Sequence, residues 1–466
     1  MHPQSDDLSE GLAVADAFAR DYLASLPTRP PARPPGPVAP IALPDDGLGA
    51  AGALARIWAL YGDAFSGNPG PRYWAFISGG VTPAALAAEW LGAALDQNVQ
   101  AFRDGAAVNL EAQALDMLRQ LFGLPDELHG LFVSGGTMAN FTGVVIGAQV
   151  LGRRRGIDVS RQGMAALPEL RILSGESHAS IGKAAAMAGI GRDRIESIAR
   201  LPGREAVDPA ALRARLAALG PDVPVIVVGN AGTVTTGDFD DLRALGGIAR
   251  DAGAYFHVDG AFGLFARASE AHRALVDGVE LADSIASDAH KFLNVAQDAG
   301  FVFTRHPAAQ VALFQSVSTY LPPVTETVAV QHVAPETSRR MRGLPVWATL
   351  QAYGRKGHEA IVERCAALAR AVGERIDAMP GFRLMAPVRF NVVCFELVDD
   401  DGTPDEAAVG PFLERLLADG RLFIGPSRFL GRPCIRFALL NWRTTEADVA
   451  IAVEALRACR RQGSHA

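Results

Sequence analysis

The sequence predicts an α/β fold built on a mostly parallel sheet. Between about residues 90 and 310, short β-rich runs alternate with stretches of helical apolar spacing. The β-rich runs are almost continuously apolar, which is typical of strands covered on both faces by helices. A chain of 466 residues with 49% hydrophobic and 20% charged residues is long enough for two or three structural units around a large core.

The N-terminal region predicts a helix followed by an extended arm. Residues 9–26 carry apolar side chains at helical spacing, with Ser9 as the predicted cap. The stretch PTRPPARPPGPVAP (27–40) cannot continue a helix or a strand. Because such a helix cannot bury its apolar stripe alone, we expect residues 1–90 to pack on a second copy of the chain.

The central unit is assigned to residues 91–350 and the C-terminal unit to residues 351–466. The central unit has its predicted strands at 170–176, 223–230, 254–261 and 282–288, with predicted helices at 180–190 and 238–253. The C-terminal unit predicts a small α+β domain, with strands at 390–397, 421–429 and 433–441 before a final helix.

Composition excludes several function classes. The net charge of −7 does not favour nucleic acid or an anionic membrane surface as a partner. No apolar segment is long enough to span a bilayer, and the acidic N-terminus does not resemble a signal peptide. The four cysteines are widely spaced without a CxxC pair, which argues against a metal site or a disulfide framework. We therefore expect a cytoplasmic protein with no bound metal.

Polar residues cluster at the predicted strand ends, where open α/β sheets bind ligands. VSGGTMAN places Ser134, Gly136 and Thr137 before a helix, where free N–H groups can hold an anion. HVDGAFG ends a strand on Asp259, whose buried carboxylate requires a cationic partner. SDAHKFLNV then places Lys291 at the next predicted strand end.

Together these residues suit one cofactor, a phosphorylated pyridine aldehyde. The glycine-rich helix start would hold a phosphate, and His178 from GESHASIGKAAAM would lie against an aromatic ring. Asp259 would face a pyridine nitrogen, and Lys291 would condense with an aldehyde. The alternative is a metal site built from His178, His257, Asp259 and His290, which leaves Lys291 and the glycine-rich turn unexplained.

These four motifs, in this order, resemble those of the group II pyridoxal-phosphate-dependent amino-acid decarboxylases. The resemblance also covers PRYWAFISGGVTPAALAAEWLGAALDQN (71–98) and GRPCIRFALLNWRTTEADV (431–449). It implies fold-type I, the aspartate-aminotransferase-like architecture. That architecture has a large domain with a mixed seven-stranded sheet, a swapped N-terminal segment and a small α+β C-terminal domain. It also implies a homodimer whose active sites lie at the interface.

The resemblance implies a role for each residue at the strand ends. Lys291 would hold pyridoxal 5'-phosphate as a Schiff base, Asp259 would keep the pyridine nitrogen protonated, and His178 would stack on the ring. The other cofactor-binding residues implied are Ser134, Gly136, Thr137, Thr233, Ala261 and His290. Many relatives have asparagine where this chain has Asp288. A carboxylate beside a phosphate is unfavourable, so we expect Asp288 to accept backbone N–H groups instead.

Tyr320, in SVSTYLPPVTE, is the residue that the resemblance identifies as the proton donor to the substrate carbon. Related aldehyde synthases typically have phenylalanine there, so Tyr320 favours an amine product. The resemblance further predicts a substrate pocket with Trp74 and Phe76 from one subunit and Gln97 and Val99 from its partner. The expected substrate is an aromatic L-amino acid. The alternatives are an aldehyde synthase, an aminotransferase, another carbon–carbon lyase, or an inactive dimeric binding protein.

Overall fold

The computed structural model describes residues 6–34, 36–37, 39–100, 105–316 and 329–463. The helices within these ranges are α1 Leu8–Ser25, α2 Gly49–Tyr61, α3 Pro83–Leu95, α4 Ala107–Phe122, α5 Gly136–Arg153, α6 Val159–Gln162, α7 Ala179–Met187, α8 Pro209–Leu219, α9 Leu242–Asp251, α10 Pro307–Phe314, α11 Gly343–Asp377, α12 Val409–Asp419 and α13 Glu446–Gly463. The strands are β1 His129–Val133, β2 Arg171–Ser174, β3 Ile195–Ser197, β4 Val225–Asn230, β5 Tyr255–Asp259, β6 Ser284–Asp288, β7 Gly300–Thr304, β8 Phe382–Leu384, β9 Val392–Leu397, β10 Gly425–Phe429 and β11 Arg432–Ala438.

The predicted mixed seven-stranded sheet is confirmed. Its strand order is β1-β7-β6-β5-β4-β2-β3, and β7 runs antiparallel to both of its neighbours. The strands from β6 to β3 are parallel, and every residue of β4, β5 and β6 is buried. Burial on both faces explains why these strands are apolar along most of their length.

A smaller antiparallel sheet follows, in the order β10-β11-β9-β8. It is tied to the large sheet by the chain segment 72–82. At one end of the segment, Trp74 donates its backbone N–H to Phe423 and accepts one from Ala438. At the other end, Gly79 donates its N–H to the carbonyl of His290. The segment therefore joins the small sheet to the turn that follows β6.

Two predicted helix starts are wrong. Asp7, and not Ser9, caps α1, because its carboxylate accepts the N–H groups of Ser9 and Glu10. The helix predicted to span 238–253 begins later, at Leu242, with Asp241 as its cap. Asp240, the residue before that cap, is buried and accepts the N–H groups of Val207 and Asn230. That environment raises the pKa of Asp240 to about 6, because burial disfavours its charged form.

The expected unit boundaries at residues 90 and 350 fall inside α3 and α11. Near the second boundary, α11 is interrupted at Gly354, whose φ of 60° breaks the helix. The division into three units stays a prediction. Among the described residues, no helix is both long enough and apolar enough to cross a membrane.

Candidate functional site

Three neighbouring parallel strands end on polar residues at the same edge of the large sheet. Asn230 ends β4, Asp259 ends β5 and Asp288 ends β6, and the strand register pairs Asn230 with Asp259. A cavity of about 420 Å³ lies beyond this edge. The sheet therefore brings the predicted strand-end residues together, as expected for an open α/β sheet.

The cavity wall contains most of the residues that the sequence singled out. Predicted residues that line it are Phe76, Ser134, Gly136, Thr137, His178, Thr233, Asp259, Ala261, His290 and Lys291. Their functional roles remain predictions, but their proximity in space is a property of the fold.

Lys291 lies in the turn after β6 with its ammonium group directed at a carboxylate. Its Nζ is 2.8 Å from Oδ2 of Asp288, and the side chain is mostly buried. The segment 72–82 crosses the lysine backbone so closely that a Cβ on Gly79 would lie 2.0 Å from the Lys291 carbonyl oxygen. Only glycine permits that approach, which fixes the position of the turn carrying the lysine.

Asp288 does not accept backbone N–H groups, so that expectation is wrong. Its Oδ2 pairs with Lys291, and its buried Oδ1 has no hydrogen-bond partner among the described residues. The nearby His290 does not supply one, because its Nδ1 donates to the carbonyl of Ala299 at 2.8 Å and is 3.7 Å from Oδ1. Asp288 is thus a buried carboxyl group, and within the described part of the chain Lys291 is its one ionic partner at hydrogen-bonding distance.

Asp259, at the end of the neighbouring strand β5, is held by a hydrogen-bond network. Its Oδ2 accepts an N–H from Asn140 at 2.9 Å, and its Oδ1 accepts the backbone N–H of Ala261 at 3.2 Å. The carbonyl oxygen of Asn140 in turn accepts the Nε2 proton of His257, whose Nδ1 accepts from Ser284. Burial lowers the pKa of His257 to about 4, so this histidine is neutral near pH 7. Since both of its ring nitrogens are engaged, His257 does not offer a free metal ligand.

The structure defines the tautomer of His178, which precedes α7. Its Nδ1 accepts the backbone N–H of Ser180 at 3.2 Å, so in the neutral ring the proton is on Nε2. The Ser180 hydroxyl also donates to this Nδ1 while accepting from Asn140. Part of the ring is open to solvent in the single chain, but desolvation still lowers the pKa of His178.

The start of α5 lies on the cavity wall and could hold an anion. The helix begins at Gly136, and among the described residues no side chain caps its start. The Asp288 carboxyl group packs so close to this start that a Cβ on Gly136 would lie 2.6 Å from Asp288 Oδ2, so the position requires glycine. An uncapped helix start, an amine and a hydrogen-bonded carboxylate around one cavity fit a group with a phosphate, an aldehyde and a basic ring nitrogen. These residues therefore fit pyridoxal phosphate.

Thr233 lines the cavity, and its hydroxyl is hydrogen-bonded to a buried carboxylate. Its hydroxyl donates to Glu205, a buried carboxylate that also accepts the hydroxyl of Thr236 at 2.5 Å. Burial raises the pKa of Glu205. The cluster fixes the loop after β4 against the cavity.

Sequence reasoning missed several polar residues of the site, and Arg436 and Asn140 are two of them. Arg436, on β11 of the small sheet, lines the cavity and donates from Nη1 to the carbonyl of Ala75. Burial lowers the pKa of Arg436. A charge inside the apolar run CIRFALL was the available signal for it. Asn140 lies one helical turn beyond Gly136, and this i,i+4 spacing places both on the same face of α5.

Other predicted residues lie away from the cavity of this chain. Trp74 is buried in the core, where its indole N–H donates to Pro71 and its ring packs against Phe437. Val99 is fully buried, and the Gln97 side chain donates to the carbonyl of Leu95. Their predicted reach into a partner's site stays a prediction. Tyr320 lies outside the described residues.

Comparison with known proteins identifies relatives of the whole chain. The pyridoxal-dependent decarboxylase conserved domain matches residues 66–398. An L-2,4-diaminobutyrate decarboxylase of Rhizobium meliloti is 31% identical over 89% of this chain and 83% of the relative. A cysteine sulfinic acid decarboxylase of Mus musculus is 30% identical over 76% of this chain and 75% of the relative. An aromatic-L-amino-acid decarboxylase of Bacillus atrophaeus is 24% identical over 81% and 79%.

Solved structures share the fold. The crystal structure of Oryza sativa TDC with PLP and tryptamine superposes with a TM-score of 0.89 at 22% identity, covering 99% of both chains. The crystal structure of mouse CSAD superposes with a TM-score of 0.84 at 24% identity, covering 96% of this chain and 98% of that one. At these identities the superpositions support the architecture alone.

Proposed function

Because the chain belongs to the pyridoxal-dependent decarboxylase family, we propose that it removes the α-carboxyl group of an L-amino acid as carbon dioxide and releases the corresponding amine. The enzyme is a carboxy-lyase, and pyridoxal 5'-phosphate is its cofactor. The observation that carries the proposal is the single cavity that joins the Lys291 amine, the Asp259 carboxylate and the uncapped start of α5.

The cofactor would be held by residues at three places on the cavity wall. Lys291 would attach its aldehyde carbon, and Asp259 would face its ring nitrogen. The remaining contacts would come from Ser134, Gly136, Thr137, His178, Thr233, Ala261 and His290. When bound, pyridoxal phosphate supplies an electron sink for the pair of electrons that the departing carboxyl group leaves behind.

Asp259 would hold the proton on the cofactor's ring nitrogen. Its carboxyl group accepts N–H groups from Asn140 and Ala261, and these hydrogen bonds fix its position at the cavity wall. His257, the next group in the hydrogen-bond network, is neutral near pH 7, so it places no positive charge near Asp259. An anion held in this way favours a protonated base opposite it.

Arg436 is the best-placed group to bind the α-carboxylate of the substrate. It is a largely desolvated guanidinium on the cavity wall, opposite the large sheet, and one of its nitrogens is engaged by Ala75. Charge-assisted hydrogen bonds from arginine are the usual means of orienting a carboxylate. His178 would contribute its Nε2 proton to the same region.

Tyr320 is proposed as the proton donor to the substrate carbon once carbon dioxide has left. This role rests on the sequence resemblance, since Tyr320 lies outside the described residues. A phenol can supply the proton and then be reprotonated from solvent. The proposed product is therefore the amine and not the aldehyde.

An aromatic L-amino acid is the proposed substrate. Phe76 and Ile77 form part of the cavity wall together with Val234 and Phe262. These apolar side chains support a ring-bearing substrate, because burial of an aromatic side chain against them is favourable. Curated relatives at similar identity act, by name, on diaminobutyrate, cysteine sulfinate and aromatic amino acids, so the test must include all three classes.

We propose that the enzyme acts as a homodimer. Helix α2 has no fully buried residue in the single chain, although it is rich in apolar side chains. Large apolar side chains on the first three helices stay exposed, among them Leu12, Ile57, Leu60, Trp90 and Leu91. An apolar surface of this kind supports a protein partner.

A substrate panel tests the proposed function. The holoenzyme is incubated with L-aromatic amino acids, L-cysteine sulfinate and L-2,4-diaminobutyrate while carbon dioxide, amine, aldehyde and hydrogen peroxide are measured. We expect an aromatic amino acid to give equal amounts of carbon dioxide and amine. Lys291→Ala should lower turnover on the order of 10⁴-fold, as loss of a covalent catalytic group does. Lys356→Ala, at an exposed lysine, is the matched control.

Carbon dioxide from none of these substrates would contradict the proposed reaction. Aldehyde and peroxide in place of amine would assign the oxidative route and remove Tyr320 as an effective proton donor.

A further inference from the structure

Asp288 lies next to two groups that would bind the cofactor. Lys291 would bind its aldehyde carbon, and the start of α5 would bind its phosphate. Its Oδ2 is 2.8 Å from the Lys291 ammonium nitrogen. The same carboxylate is next to the start of α5, since a Cβ built on Gly136 would be 2.6 Å from Oδ2 and 3.2 Å from Cγ. The side chain is 3% exposed, and its Oδ1 has no hydrogen-bond partner in the described part of the chain.

The charges around Asp288 do not neutralise a second anion placed beside it. The basic groups next to it are Lys291, already paired with it, and His290, whose Nδ1 proton is donated to Ala299. His178 and Arg436 also line the cavity, and Asp259 and Glu176 add two further carboxyl groups. A phosphate dianion at the start of α5 would therefore meet a buried carboxylate at close range.

We propose that Asp288 makes cofactor binding proton-linked. In the cofactor-free pocket the Asp288 carboxyl group lies 2.8 Å from the Lys291 nitrogen. When a phosphate monoester enters at the start of α5, the phosphate and the Asp288 carboxyl group take up a proton from solvent and share it, so that the pair carries one negative charge fewer. No bond between heavy atoms forms or breaks in this step.

The coupling predicts how affinity depends on pH. Like charges in a desolvated site disfavour each other, and the proton removes one of them. Because binding takes up a proton, the affinity of the wild type for the ligand should fall as pH rises, relative to a variant without the Asp288 carboxyl group. An asparagine at this position has nearly the same shape and no charge, so it should bind the phosphate end without this cost.

The test uses pyridoxine 5'-phosphate, which has the phosphate and the ring but no aldehyde, and so separates this step from Schiff-base chemistry. Its dissociation constant is measured from pH 5.5 to 8.5 on the full-length chain freed of cofactor. The variants are the wild type, Asp288→Asn, and Asp277→Asn. Asp277 is an exposed acid paired with Arg243 outside the cavity, so its variant controls for the loss of one charge from the whole chain.

Asp288→Asn should bind at least about tenfold more tightly than the wild type at pH 8.5, a difference of about 1.4 kcal/mol in binding free energy. The ratio of the wild-type dissociation constant to that of Asp288→Asn should approach one as pH falls. Ionisation of the free ligand affects both constants equally and does not change this ratio. Asp277→Asn should match the wild type throughout. Equal affinities of the wild type and Asp288→Asn at every pH, or weaker binding by the variant, would overturn the inference.

A second measurement counts the protons. Calorimetric titration of the wild type and of Asp288→Asn at pH 6.5, in buffers with different ionisation enthalpies, reports the protons that each protein takes up on binding. We expect the wild type to take up more protons than Asp288→Asn, and equal uptake by the two proteins would overturn the inference. The inference rests on the cofactor assignment. Failure of that assignment would appear differently, as no binding by any of the three proteins.

Discussion

At the scale of single residues, Asn140 connects the groups that face the cofactor site. Its amide nitrogen donates to Asp259 and to Ser180, and its oxygen accepts from His257. Through Ser180 it also reaches His178. Since Asn140 is 1% exposed, each of these hydrogen bonds lies in a region where an unpaired polar group is costly. We therefore regard Asn140 as a positioning residue for Asp259 and His178.

Replacing Asn140 by leucine should weaken cofactor binding as well as the fold. The substitution leaves the His257 Nε2 proton and one Asp259 oxygen without partners, each at about 1–3 kcal/mol. We expect a lower melting temperature, at least about tenfold weaker binding of pyridoxal phosphate, and a changed pH dependence of the cofactor's absorbance band. Absorbance titration and thermal unfolding measure these effects.

Asn391→Leu is the control for this experiment. Asn391 is also fully buried, but it donates to Leu439 away from the cavity. It should lower the melting temperature and leave cofactor affinity and absorbance unchanged. If both variants lose only stability, Asn140 has no positioning role.

Residue identities at strand ends were the most predictable part of the site. Lys291, Asp259 and His178 could be found from sequence because each lies at the end of a recognisable apolar strand or within four residues after it. Asn140 could not, because its importance comes from contacts with β5 and α7, more than 35 residues away along the chain. The role of Asp288 was also misjudged. Its partner, Lys291, is only three residues away, but the turn that brings them together depends on the segment 72–82.

At the scale of elements, the strands were predicted better than the helix ends. Apolar runs identified β4, β5 and β6 because these strands are buried on both faces. Helix caps are harder to predict, because several nearby polar side chains can accept the first N–H groups of a helix and other contacts decide which one does. Asp7 and Ser9 were both suitable for α1, and Asp240 was unavailable to α9 because Val207 and Asn230 bind it in the core.

Helix α2 supports the prediction that residues 1–90 meet a partner. It packs against α1, with Phe18 and Trp58 stacked at 4.8 Å, but its outer face keeps Ile57 and Leu60 exposed. Ile57→Asp should therefore convert a dimer of about twice 49.1 kDa into monomers in sedimentation-equilibrium experiments, because a charge in an apolar interface is costly.

Leu430→Asp is a matched control at an exposed leucine outside the N-terminal helices, in the turn between β10 and β11. Aspartate tolerates its positive φ of 49°, and the dimer should persist. A wild-type chain that sediments as a monomer would contradict the predicted dimer.

At the scale of the whole molecule, the site depends on how the two sheets meet. The large sheet provides Asp259, Asp288 and Lys291, whereas Arg436 comes from the small sheet. The segment 72–82 holds the sheets together by hydrogen bonds to Phe423 and His290. Family motifs in the sequence predicted both sheets. They did not indicate which face of the small sheet would turn towards the lysine, since that depends on packing between distant parts of the chain.

We propose that one amine of this chain, that of Lys291, carries the cofactor. The chain has only three lysines, and the other two, Lys183 and Lys356, are exposed. Borohydride reduction of the holoenzyme followed by peptide mass mapping identifies the lysine, because reduction makes the link between lysine and cofactor permanent. We expect a phosphopyridoxyl group on Lys291 alone, with Lys183 and Lys356 unmodified. A modification on either of those lysines in place of Lys291, or none on any lysine of a cofactor-saturated protein, would show that the assignment of Lys291 is wrong.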